Sequence, residues 1–158
     1  MFTDIEDSTG WVSRLGDTKW AKLIAWHDAE VRKVVEANGG SIVKTLGDGA
    51  MAAFDSTRSA AQAAIKIQGS LSEEGNQPEL KIRIGLHVGE VLQTGEDYLG
   101  QAVNKAARIA SAASGGEIMV SSAVAALLSD DPQFEFGMPI NSELKGLPGT
   151  HSTVPMKF

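Results

Sequence analysis

The 158 residues include no cysteine, which excludes disulfides, thiolate nucleophiles and zinc–thiolate centres. A long apolar run is also missing: the longest, Ala123 to Leu128, falls far short of the roughly 20 residues that a membrane-spanning helix needs. The start, Met1-Phe-Thr-Asp4, has no basic stretch of the secretory kind, so the chain is expected to be soluble and cytoplasmic, with no membrane contact of its own. Cations are in the minority. Fourteen Lys and Arg against twenty Asp and Glu leave a net charge of −6, a balance that repels nucleic-acid backbones and argues against a nucleic-acid partner. Internal repeats, low-complexity tracts and domain-separating linkers are absent. With 42% apolar residues, residues 1–158 are expected to form one domain around one sizeable core.

What is present alternates in period. Trp11 to Leu15, then Trp20, Leu23, Ile24, His27, Val31, Val34 and Val35 recur at three- and four-residue steps, which predicts an amphipathic helix from about Asp17 to Asn38. Ser41 to Leu46, Gly47-Asp48-Gly49 and Ala50 to Phe54 read as a hairpin with a glycine-rich turn. A second helix starts at Ser56 or Thr57 and ends in the polar stretch Ser70 to Pro78. Leu80 to Leu92 alternates as one strand with one buried face, and Gly95 to Gly100 turns the chain into a third helix, Gln101 to about Ala113. A strand at Glu117 to Val120, a helix at Ser122 to Leu128, and strands near Phe134 to Met138 and Ser142 to Leu144 complete the prediction. Helices alternate with strands, yet one strand pair is a tight hairpin. The fold class expected is therefore α+β, a ferredoxin-like sandwich with a partly antiparallel central sheet.

Several polar residues stand at segment ends. Asp4 closes a first strand in Phe2-Thr-Asp-Ile-Glu-Asp-Ser-Thr9, and Ser8 and Thr9 open a helix whose free N–H groups and positive dipole end suit phosphate. Taken alone, this segment reads first as an ordinary helix start, an N-cap with Asp and Glu in the first turn. Asp48, between two glycines, taken alone reads as a turn residue. Lys44 shares a strand face with Ile42 and Leu46 in regular alternation, so it could simply snorkel at a core edge. Asn104 and Arg108, four apart on the third helix, share one face. His27 and His87 lie in apolar patterns and read as core or supporting groups, and the three tryptophans as core or interface anchors.

Together, Phe-Thr-Asp-Ile-x-x-Ser-Thr, Lys44-Thr-Leu-Gly-Asp-Gly49, Ile82-Arg-Ile-Gly-Leu-His-Val-Gly89, Asp97-Tyr-Leu-Gly-Gln-Ala-Val-Asn-Lys-Ala-Ala-Arg108 and Glu143-Leu-Lys-Gly-Leu-Pro-Gly149 resemble, in order and over nearly the whole chain, the catalytic domains of class III nucleotide cyclases. The resemblance implies two Mg²⁺ or Mn²⁺ ions held by Asp4, Ile5 and Asp48. It implies phosphate contacts from backbone amides between Ile5 and Thr9, with Ser8, Thr9, Arg83 and Lys145. Asn104 would hold the ribose, and Arg108 would neutralise charge that builds on the α-phosphate.

Lys44 and Asp97 match the positions that read the base. An ammonium suits the N1 acceptor of adenine and a carboxylate suits its N6 donor, whereas guanine reverses both. The resemblance thus implies an adenylate cyclase that converts ATP to 3′,5′-cyclic AMP and pyrophosphate as a head-to-tail homodimer. In it, Asp4, Asp48 and Arg83 come from one subunit, and Lys44, Asp97, Asn104, Arg108 and Lys145 from the other. A guanylate or mixed-specificity cyclase, or a non-catalytic nucleotide-binding or dimerisation module, are the alternatives. Two departures from the family pattern stand out: few residues precede Asp4, which predicts a short first strand, and Asp7 stands where glycine is common.

Overall fold

The computed structural model describes residues 1–72 and 80–158. The elements in order are β1 (Phe2–Ile5), α1 (Ser8–Leu15), α2 (Asp17–Ala37), β2 (Gly40–Thr45), β3 (Gly49–Phe54), α3 (Thr57–Ser72), β4 (Ile82–Leu86), β5 (Leu92–Thr94), β6 (Asp97–Leu99), α4 (Gln101–Ala112), β7 (Ile118–Ser121), α5 (Ser122–Leu128), β8 (Glu135–Phe136), β9 (Ile140–Glu143) and β10 (Thr150–Lys157). The main sheet runs β2-β3-β1-β4-β7-β10-β8, with β9 also on β10. Only β4 and β7 pair in parallel among the described strands. The first four strands, with their helical crossovers, make the expected ferredoxin-like unit, and the α+β expectation holds.

Period-two alternation sends neighbouring residues of a strand to opposite faces, and each face has its own helices. Ile5, Ala50, Ala52, Ile82, Ile84, Ile118 and Val120 join Leu23, Val31 and Val35 of α2, Ala61, Ala64 and Ile67 of α3, and Val124 and Leu128 of α5 in the main core. Phe2 and Met51 point the other way, to Ala106 and Ala110 of α4, and Met119 meets Ile109 and Leu144 on that same side. By the same alternation Asp4 follows Phe2, and Arg83 lies opposite to Ile82 and Ile84. Both therefore face the side of α4.

The structure departs from the predicted elements in several places. The strand expected over Leu80 to Leu92 ends at Leu86 and is buried on both faces, because β4 sits between β1 and β7 with helices above and below. The chain from Leu92 to Leu99 forms a separate hairpin, β5 with β6, where only a turn was expected over Gly95 to Gly100. The longest strand, β10, was not expected at all, since its first half is polar and Pro155 interrupts the pattern. Pro155 lacks an N–H, yet its carbonyl accepts from Gly137 at 2.8 Å, so the ladder is kept on that edge. Helix α3 continues to Ser72, through the first three residues of the stretch expected to end it; positions 73–78 of that stretch lie outside the described residues. The three tryptophans are partly buried against the main core, as expected of anchors.

Candidate active site

β1 lies between β3 and β4, inside the sheet. Asp4 pairs across with Gly49 on one side and Arg83 on the other. Two hydrogen bonds hold the β2–β3 turn against the end of β1. The Ile5 amide donates to the Asp48 carbonyl at 3.0 Å, and the Ala50 amide donates to the buried Thr3 Oγ1 at 3.0 Å. Gly49 lies so close to β1 that a Cβ there would meet the Thr3 carbonyl. The strand pairing thus brings Asp4 and Asp48 together from 44 positions apart in the sequence (48 − 4 = 44). Burial raises the Asp4 carboxyl above its usual pKa, the Asp48 charge raises it further, and Arg83 opposes them. Ile5 is buried in the main core, which anchors the main chain between the two carboxylates.

Arg83 Nη1 lies 3.6 Å from Asp4 Oδ2 and its Nη2 lies 3.5 Å from Glu6 Oε1. Its Nε is buried without a partner among the described residues. Glu6 is the residue that the sequence reading missed. It accepts from the Gly115 amide at 2.9 Å, which, more than Arg83, holds its carboxyl below the usual value against a smaller opposing effect of burial. Its position two residues after Asp4, on the same strand-end face, was the available signal. Ser8 and Thr9 occupy the first turn of α1, and the amides of Ser8, Thr9 and Gly10 have no acceptor among the described residues.

A second cluster forms on β2 and β6. Lys44 Nζ donates to both carboxylate oxygens of Asp97, at 2.9 and 2.7 Å, although 53 positions separate them. Regular alternation would have put Lys44 on the face of Ile42. A bulge prevents this: Ile42 pairs with Ala52 but Lys44 pairs with Met51, so the extra residue, Val43, turns Lys44 to the α4 side. The expectation that Lys44 shares a face with Ile42 is therefore corrected. Lys44, then the Tyr98 amide at 2.8 Å, holds the Asp97 carboxyl below its usual value.

The remaining candidates stand apart. Asn104 and Arg108 share the exposed face of α4, whose opposite face is buried through Ala106, Ile109 and Ala110, and their side chains have no hydrogen-bond or ionic partner among the described residues. Lys145 is exposed in the turn between β9 and β10, and likewise has no such partner among the described residues. From β1 to β10 the sheet steps three strands, roughly 14 Å. His27 is fully buried, with Nδ1 3.0 Å from Asp28 Oδ1. His87 Nδ1 lies 2.8 Å from Ser121 Oγ, and burial, with Lys105 and the chain's amino terminus adding to it, pushes its pKa down to about 4. Both histidines are supporting groups in the way their apolar surroundings suggest. A cavity of about 260 Å³ bounded by Phe2, Met51, Phe54, His87 and Tyr98 has none of Asp4, Asp48, Arg83, Asn104 or Arg108 in its wall.

The sheet order defines an α+β domain with two polar clusters beside α4, and comparison with known proteins identifies the family. The family model for the adenylate and guanylate cyclase catalytic domain matches residues 1–157, and the chain belongs to that family. It is thus a class III nucleotide cyclase catalytic domain, of the lyase type. An uncharacterized protein of Mycobacterium tuberculosis is 34% identical over 137 residues, 86% of this chain and 35% of that protein. An adenylate cyclase of Streptomyces coelicolor is 31% identical over 124 residues, 78% of this chain and 32% of that protein. The chain therefore spans about a third of the length of these relatives. A solved adenylate/guanylate cyclase/hydrolase from Silicibacter pomeroyi superposes with a TM-score of 0.80 at 26% identity, covering 98% of this chain and 94% of that one. Among the described residues no helix is long and apolar enough to cross a membrane.

Proposed function

We propose that residues 1–158 act as a single adenylate cyclase catalytic domain that converts ATP to 3′,5′-cyclic AMP and pyrophosphate, at sites shared across a head-to-tail homodimer. The observation that carries this reading is the Lys44–Asp97 pair, a donor and an acceptor side by side on the α4 face. Adenine separates them by offering N1 to the lysine and its N6 amino group to the aspartate; guanine meets both with the wrong partner. Opening the pair is cheap. Both side chains are about 40% exposed, so water screens the ion pair and it opens readily, whereas guanine would leave both groups facing a mismatched edge.

The site's acidic end fits two Mg²⁺ or Mn²⁺ ions. Asp4 and Asp48 are hard oxygen donors close enough to raise the Asp4 pKa, and a bound cation would relieve that repulsion. Asp4, Asp48 and the main-chain carbonyl of Ile5 would hold the metal. When bound, it supplies activation of the ribose 3′-hydroxyl and charge stabilisation at the phosphates. The 3′-oxygen attacks the α-phosphorus as the bond to the pyrophosphate oxygen breaks, and the hydroxyl proton is released.

The amides of Ser8 and Thr9 and their hydroxyls bind phosphate oxygens. Arg83 turns from Asp4 and Glu6 toward the same phosphates, with Lys145 at the terminal one. Arg108, permanently charged, meets the charge that builds on the α-phosphate, and Asn104 orients the ribose.

The two-subunit arrangement is supported by exposure. Asn104 and Arg108 point away from their own sheet, so a second copy is needed to bring them to Asp4 and Asp48. Leu92 and Leu99, cross-strand partners on the β5–β6 hairpin, are 67% and 49% exposed, and Val91 and Leu46 are also exposed, an apolar surface suited to burial against that copy.

The test is turnover: purified protein with ATP or GTP and Mn²⁺, assayed for the cyclic product. Cyclic AMP as the main product is expected. Cyclic GMP as the main product would reassign the base site, and no cyclic product from either nucleotide would leave the chain a binding or dimerisation module.

A further inference from the structure

The segment between β1 and α1 makes its turn at Asp7, with φ 55 and ψ 39. It is the sole non-glycine residue with positive φ among those described. Left-handed backbone disfavours L-residues but is tolerated by Asp, and here it delivers the chain straight from the strand into the helix. Asp7 is the N-cap of α1, and an aspartate there ordinarily accepts from the second or third helical amide. It makes no such bond.

The carboxylate folds back along the helix instead. It lies against the bare Cα of Gly10, where any Cβ would collide with both carboxylate oxygens. One turn further on, Arg14 Nη1 donates to Asp7 Oδ2 at 3.1 Å. Arg14 is steadied in turn, its guanidinium 4.5 Å above the Trp11 ring. Glycine at 10 leaves room for the Asp7 carboxylate beside the helix, and Arg14, lying over Trp11, engages it there without a capping bond being made. The amides it forgoes, those of Thr9 and Gly10, have no acceptor among the described residues, and neither has that of Ser8.

We propose that Arg14 is a positioning residue that keeps the Asp7 carboxylate off the phosphate-binding amides of α1. This rests on the cyclase reading of that helix start. Without Arg14 the carboxylate swings onto its N-cap acceptor position and competes, as an intramolecular anion, with the triphosphate for the same N–H groups. The exposed ion pair and the capping bond are of similar strength, so the competition is close. A loss of roughly three- to tenfold in triphosphate affinity follows.

The experiment is a double-mutant cycle with two readouts: KM and kcat for the nucleotide that turns over, and calorimetric titration with inorganic tripolyphosphate at fixed excess Mg²⁺. Arg14→Ala, and Arg14→Gln as a longer replacement that can still lie over Trp11, should raise KM and the tripolyphosphate Kd about three- to tenfold, with kcat changed less than about twofold. In an Asp7→Gly background the same Arg14 substitutions should have no effect on either quantity. Unchanged KM and Kd in the Arg14 variants would overturn the proposal. So would an undiminished rise in the Asp7→Gly background, because Arg14 would then be touching phosphate directly. If wild-type protein binds no tripolyphosphate, the reading of the site falls and this proposal falls with it. If it binds and the variants match it, only the role of Arg14 fails.

Discussion

The strand ends around Asp4 and the outer surface of α4 differ in how much of their arrangement one chain supplies. At the strand ends the chain supplies much of the arrangement itself: Arg83 sits between Asp4 and Glu6, the Asp48 main chain is tied to Ile5 through its carbonyl, and Glu6 is tied to Gly115. On α4, Asn104 and Arg108 are exposed and have no hydrogen-bond or ionic partner among the described residues. The first region is preorganised by sheet pairing. The second is presented on a helix whose buried face fixes its direction but leaves its outer face unused. A site built from both regions, on the reading proposed above, is idle in a single chain and completed by a second.

The largest effect should come from breaking the preorganised region. Asp4→Ala or Asp48→Ala should lower kcat by about a thousandfold or more while the circular dichroism spectrum stays native, since both carboxylates sit at strand ends rather than in the core. Activity near wild type in either variant would remove the metal role.

Arg108→Ala tests the presented region and should cost about 100- to 1,000-fold in kcat with no change in melting temperature. Mixing it with Asp48→Ala then joins the two regions again. A mixed dimer has one site with both lesions and one with none, so activity should return, up to about half that of a wild-type dimer for each mixed pair. Mixed dimers visible by mass measurement but inactive would sink the shared-site arrangement.

Base choice lies between the regions. Lys44→Glu combined with Asp97→Ser should swing the ratio of ATP to GTP turnover by about 100-fold toward GTP, because the donor and acceptor exchange places. A ratio that does not move would mean that other groups read the base.

Gly49→Ala sharpens the comparison by disturbing the support of the first region alone. Its Cβ would press on the Thr3 carbonyl, parting β3 from β1, and should lower stability by about 1–3 kcal/mol in urea unfolding. Binding at the acidic end should weaken more than the Lys44–Asp97 pair is disturbed.

The smallest effect concerns pH. His87 titrates near 4 in the folded chain against an ordinary 6.5, so between these values the unfolded chain binds more protons. Stability should therefore fall as pH drops through that window, by at most about 3 kcal/mol and by less because the ring is only half-buried. Asp4, whose carboxyl is raised, works in the opposite sense above its ordinary value, where the folded chain binds the extra proton. Replacing His87 with Gln should flatten the loss of unfolding free energy between pH 7 and pH 5. An unaltered slope would assign the loss to other groups.

Helix α2, the β2–β3 hairpin and α4 were legible because each carries a long periodic stretch between glycines or caps. The break after Leu86 was not, since apolar residues continue through Val88 and Val91 while the strand's neighbours run out. β10 was hidden for the converse reason: its polar first half looks like loop until β9 and β7 pair with it. Within the candidate site, Asp4, Asp48, Arg83 and the α4 pair stand in recognisable motifs, but Glu6 gave no such signal, because its partner Gly115 lies 109 positions away.

By itself the sequence determined which donors, acceptors and charges this protein has and in what order they occur, including the lysine and the aspartate proposed above to read the base. Only the tertiary structure decided which of them meet. A single extra residue at Val43 turns Lys44 toward Asp97, and the left-handed backbone at Asp7 sends its carboxylate to Arg14 instead of to the helix start. Neither outcome follows from local pattern. A strand's facing depends on its partner's register, and a side chain's direction on whichever neighbour folding brings within reach.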